Sequence, residues 1–154
     1  MSDVVAVTAI TDLIPHQGRM VLLDSLIDHT EERTVCRVVI GRDSMFIDER
    51  GVVPNWVGIE YIAQTIAAYS GCEAIRRGDP VSVGFLLGAR TLRFHTPHFS
   101  CGQRLLVEAW SRWNNEELGA FDGLIRDEPS GALMAEGRVT VYQPREPEVF
   151  LYGG

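Results

Sequence analysis

W-V-G-I-E-Y-I-A-Q-T-I-A-A-Y-S-G-C-E-A-I, residues 56–75, is the longest apolar stretch of this 154-residue chain. Four Ala and four Ile with few polar positions suit a helix. Its apolar residues fall on every side, which marks a helix buried all round instead of one lying on a surface. Arg76 and Arg77 complement the negative end of its dipole, and Gly78 stops it.

On either side the pattern changes. Residues 10–19 read as a short helical turn stopped by Pro15. Residues 21–27 and 34–40 read as two strands of a hairpin across the polar loop 28–33, and 41–55 as an irregular loop. Beyond the helix, residues 81–94, 104–113, 118–126 and 133–142 read as four long strands, parted by turn residues such as Asn114-Asn115 and Pro129-Ser130-Gly131. One all-apolar helix beside a single sheet is covered only if the sheet curls round it. The expected fold is therefore α+β of the hotdog kind, a long central helix wrapped by a curled antiparallel sheet. The sheet edge and the helix flank left over call for a second copy, so a dimer is expected. Residues 1–143 form one domain on this reading, and 144–154 a C-terminal tail with the apolar end Val149-Phe150-Leu151-Tyr152.

Composition excludes several functions. All 14 basic residues are arginine, so a lysine Schiff base and a P-loop are ruled out. Genomic codon bias is the ordinary cause of such a repertoire. A net charge of −7 opposes general nucleic-acid binding. Three cysteines without C-x-x-C spacing give neither a disulfide framework nor a zinc site. The acidic N-terminus is no signal peptide and no run spans a membrane, so a cytoplasmic protein is expected, with no cofactor and no metal. Charge is uneven: residues 76–112 hold six Arg against two acids, +4 inside an acidic chain. Such a segment suits an anionic partner or is simply a solvated strand face.

Within the helix, Glu60 and Gln64 are four apart and share one face. A carboxylate in the first turns of an apolar helix pairs with arginine, reaches water or handles a proton. The stretch V-P-N-W-V-G-I-E-Y-I-A-Q, residues 53–64, resembles the helix start of the β-hydroxyacyl-acyl carrier protein dehydratases, with Pro54 six residues before Glu60 and then Ala63-Gln64. Ile14-Pro15-His16 followed by Met20-Val21-Leu22-Leu23-Asp24 is similar to that family's opening. Phe85-Leu86-Leu87-Gly88-Ala89-Arg90, Phe94, Pro97 and Gly102 are similar to its third strand and turn. W-V-G-I-E-Y and L-G-A-R look closest to the dehydratase-like proteins of aryl polyene clusters.

The resemblance implies a hotdog dimer that removes water from 3-hydroxyacyl thioesters on an acyl carrier protein or CoA. The site would pair a loop His with an acidic helix residue across the dimer. Glu60 stands at the acidic position, Gln64 would orient it, and amides of Val57, Gly58 or Gly51 would hold the thioester oxygen. Trp56 and Phe46 would flank the substrate. Fourteen residues before Glu60, however, where the family carries its His, stands Phe46. A phenyl ring moves no proton. Three readings follow: a dehydratase subunit completed by a second, His-bearing hotdog subunit; a thioesterase using Glu60 alone; or a non-catalytic acyl-thioester-binding protein.

His16 is expected to pack or cap. His95 and His98 are three apart, a spacing open to metal but with no carboxylate nearby in the chain. Arg90, Arg93 and Arg104 are the expected docking site for an acidic carrier. Arg90 and Arg93 share a face only if their strand bulges.

Overall fold

A computed structural model describes residues 9–81, 84–115 and 117–144. Of the tail, only Pro144 lies within the described residues, as do none of 82–83 within the expected strand 81–94. The chain enters through a 3-10 turn, Ile10–Asp12, and a second, Gly18–Met20. β1 (Ser25–His29) and β2 (Arg33–Val39) form the hairpin. After β3 (Val52–Pro54) and a 3-10 turn, Asn55–Val57, comes α1 (Gly58–Arg77). Then follow β4 (Phe85–Phe94), β5 (His98–Ser100), β6 (Arg104–Asn114), β7 (Leu118–Asp127) and β8 (Leu133–Tyr142).

Six strands make one antiparallel sheet in the order β1-β2-β6-β7-β8-β4, and β3 pairs with β5 in a separate ribbon. Alternation works as a half-buried sheet requires: Leu105, Val107 and Ala109 of β6 are buried with Cys36 and Val38 of β2, Phe121 and Ile125 of β7, and Ala135 and Val139 of β8. This face packs on α1, whose contacts come from β1, β2, β6 and β7. The opposite face carries Arg33, Arg37, Glu108, Asp122, Arg126 and Arg138 in ion pairs. The arrangement is the hotdog: one helix buried to its core by one sheet.

Boundaries differ from expectation at informative places. β1 starts at Ser25, not at residue 21: upstream of it Leu22 N–H goes to the Gln64 side chain. Asp24 bonds β2 through both its backbone N–H, to Arg37 O at 2.8 Å, and its carboxylate, which accepts from Val39 N–H at 2.7 Å. The ribbon β3–β5 lies in stretches expected as loop, each strand too short to show a period. The helix stops as its sequence requires. Gly78 is left-handed (φ 77°), and Asp79 N–H to Ala74 O at 2.8 Å and Gly78 N–H to Ile75 O at 3.1 Å close the end. At Gly71 the N-terminal turn crosses α1 so closely that a Cβ there would fall on the Leu13 carbonyl oxygen. No helix among the described residues is long and apolar enough to cross a membrane.

Candidate functional site

The start of α1 is anchored by the β3–β5 ribbon. Pro54 pairs with His98, Asn55 N–H donates to Pro97 O at 3.3 Å, and the Asn55 side-chain amide donates to Thr96 O at 3.0 Å. Glu60 is therefore held at a defined height, in the first turn of a helix without a side-chain cap. Its side chain is 42% exposed, so this carboxylate reaches solvent from an otherwise buried helix.

Gln64, fully buried, fixes what surrounds it. Its amide nitrogen donates to Glu60 Oε1 at 3.0 Å and to Met20 O at 2.7 Å, while its oxygen accepts from Leu22 N–H at 2.9 Å. A backbone acceptor and a backbone donor settle the orientation of the amide. One buried side chain thus ties the 20–22 segment to the helix and steadies the carboxylate one turn below.

That segment also brings His16 to the site. His16 Nε2 lies 3.6 Å from Glu60 Oε1, and Nδ1 is buried with no partner among the described residues. The ring of His16, expected to pack or cap, is about a quarter exposed and lies against the Glu60 carboxylate. No spacing rule could have revealed this pair, because the two residues lie on segments joined only by the fold.

Phe46 and Trp56 meet edge to face, with centroids 5.5 Å apart, and both remain about half exposed. Phe46 has φ 70° in a turn closed by Ile47 N–H to Ser44 O at 3.3 Å, a place that favours glycine. A bulky residue there costs roughly 1–2 kcal/mol, offset in part by the aromatic contact. Trp56 stands one turn before Glu60 along the chain. Two of the three amides expected to hold a thioester oxygen are spent internally: Gly51 N–H donates to Asp48 O at 3.0 Å and Gly58 N–H to Asn55 O. Beneath the site, burial, with Asp24 nearby, pushes the Tyr61 phenol up, so it stays neutral.

The basic segment is partly gathered. β4 slips register between Arg90 and Arg93, with Thr91 at φ 52°, so Arg90 faces Arg138 and Arg93 faces Glu136. Those partners are two apart on β8 and share a face, so Arg90 and Arg93 do too. Arg104 is on β6, with β7 and β8 between. His95 pairs with Glu136 at 2.8 Å, and His29, buried, bonds Thr34 and Glu73. A groove of about 760 Å³ lies at the far end of α1, lined by Tyr69, Glu73, Arg77, Asn114 and Phe121, and holds none of the expected site residues.

The sequence matches the family model ApeP-like: ApeP dehydratase over residues 8–152. A chain of the dehydratase heterocomplex ApeI:P from Xenorhabdus doucetiae is 32% identical, with TM-score 0.87, over 94% of this chain and 96% of that one. Zebra fish thioesterase superfamily member 2 shares the fold at 15% identity and TM-score 0.63, covering 92% and 91%. A hypothetical thioesterase crystallised with coenzyme A from Streptococcus pneumoniae TIGR4 does so at 10% and 0.60, covering 78% and 84%. No curated protein sequence gives a significant match.

Proposed function

Since the chain belongs to the ApeP-like dehydratase family, we propose that it is a hotdog dehydratase subunit that removes water from 3-hydroxyacyl thioesters, with Glu60 as the group that moves the proton. The observation that carries this reading is the placement of Glu60: open to solvent at the head of a buried helix, clasped by Gln64, with His16 Nε2 3.6 Å from its Oε1. A carboxylate with one oxygen anchored and the other available can take a proton from Cα and deliver it to the leaving hydroxyl. The thioester would be carried on an acyl carrier protein or CoA in a fatty-acid-like or polyene pathway. An acidic carrier and its phosphate would be met by Arg90 and Arg93 on the outer face of β4.

The partner is a second hotdog subunit. β4 is a ten-residue edge strand with Leu86 and Leu87 exposed, an edge that natural sheets cover or pair. The similar chain belongs to a dehydratase heterocomplex, which favours a different hotdog chain over a second copy. Glu60→Gln keeps shape and removes the proton-transfer group. Turnover of 3-hydroxyacyl or enoyl thioesters should vanish, and unchanged rates would sink the assignment. Size measurement of the chain with and without a co-expressed hotdog subunit tests the partner.

A further inference from the structure

Two of the four histidines show what a structural histidine does in this fold. His29 engages Thr34 through Nδ1 and Glu73 through Nε2, and His95 engages Glu136. His16 is different. Its side chain is about three-quarters buried, yet Nδ1 is buried without a partner among the described residues and Nε2 looks onto Glu60 Oε1 at 3.6 Å. Gln64 grips Met20 O and Leu22 N–H, four and six residues downstream, and so ties the segment that follows His16 to the helix that carries Glu60.

We propose that His16 is a positioning residue for Glu60, donating from Nε2–H to Oε1 beside the Gln64 amide, so that Oε2 alone meets the substrate. The inference rests on the dehydratase reading of Glu60 given above. A proton on Nδ1 would leave a buried donor unmet, which a fold tolerates less readily than an unmet lone pair. The Nε2–H tautomer follows. A gap of 3.6 Å exceeds a formed hydrogen bond, and catalytic contacts of this kind tighten when substrate closes the site. With two donors on Oε1, the carboxylate cannot swing.

The reaction then needs one carboxylate. Oε2 takes the Cα proton, the C–H electron pair becomes the Cα–Cβ double bond, and the Cβ–O bond breaks. The departing oxygen recovers that proton from Oε2 and leaves as water, so Glu60 ends as it began. This accounts for a phenyl ring at position 46: the second acid–base group that the family resemblance leads one to expect there is not required.

The test uses 3-hydroxyoctanoyl-pantetheine with wild type, His16→Phe, His16→Gln and Glu60→Gln, each alone and with a co-expressed second hotdog subunit. Nitrogen-15 NMR of the histidine rings reads the tautomer without any need for turnover. His16→Phe should lower kcat at least tenfold with KM within twofold. His16→Gln, whose amide also offers an N–H, should recover kcat to within threefold of wild type. NMR should show His16 as the Nε2–H tautomer, with its signal moved by Glu60→Gln. Wild-type kcat in His16→Phe, a His16→Gln as impaired as His16→Phe, or an Nδ1–H tautomer would each overturn the proposal. In any of those cases an inactive Glu60→Gln leaves the dehydratase reading standing; an active Glu60→Gln removes that reading as well.

Discussion

Replacing Gln64 by Met keeps the length and apolar volume of the side chain and removes three hydrogen bonds at once. Leu22 N–H loses its acceptor at 2.9 Å, Met20 O loses its donor at 2.7 Å, and Glu60 Oε1 loses its anchor at 3.0 Å. These losses are unequal. Met20 is exposed and Glu60 reaches solvent, so water replaces much of what they lose. Leu22 is only partly exposed, and an unmet donor there costs about 1–3 kcal/mol. The expected destabilisation is about 2 kcal/mol, or a fall in Tm of about 4–8 °C for a chain of this size. Urea denaturation with an unchanged slope and a thermal scan measure it. Turnover should fall further than stability does, because the segment carrying His16 is released along with the carboxylate. A Gln64→Met protein within about 0.5 kcal/mol of wild type, smaller than even a weak hydrogen bond, would refute the view that this amide holds the site together.

Other consequences follow from packing and titration. In an open helix Gly71→Ala would stabilise by about 1 kcal/mol; here the added Cβ meets the Leu13 backbone, so urea titration should show a net loss of about 2 kcal/mol. Burial pushes the Cys36 and Cys72 thiols up from about 9.0 to about 12, so at pH 8 a thiol reagent should label only the exposed Cys101 of the native chain. Because those folded values lie above the unfolded ones, the stability they contribute is full below pH 9 and is lost as pH rises toward 12, visible as a falling alkaline Tm. Hydrogen bonds from Arg138 and then Arg112 hold the Asp122 carboxyl below its ordinary value of 3.8, so its contribution is present above that pH and lost as pH falls through the depressed value. Asp122→Asn should flatten the acid side of the stability curve, and an unchanged curve would show that the pair is fully screened.

Much of the architecture is legible in the chain because it depends on local period. An apolar run of twenty residues closed by Arg76, Arg77 and Gly78 has few outcomes besides a buried helix, and β6, β7 and β8 lie close to their expected bounds. β3 and β5 are three residues each, below the length at which alternation carries information. Glu60 and Gln64 were identifiable as neighbours on one helix face, which helical geometry guarantees. The displaced start of β1 was not, since the Leu22 N–H is taken there by the Gln64 side chain of a distant segment.

By itself, then, the sequence determined one buried helix, one antiparallel sheet around it, an acidic residue at the helix head and a phenyl ring where a histidine belongs by resemblance. These follow from spacing along the chain, and spacing survives without knowledge of the fold. Only the tertiary structure decided which backbone Gln64 clasps, that His16 looks onto Glu60, and that a bulge in β4 turns Arg90 and Arg93 to one face. Each of those depends on where two remote segments cross and in what register. That is set by the packing of the whole core, where a one-residue slip sends a side chain to the opposite face.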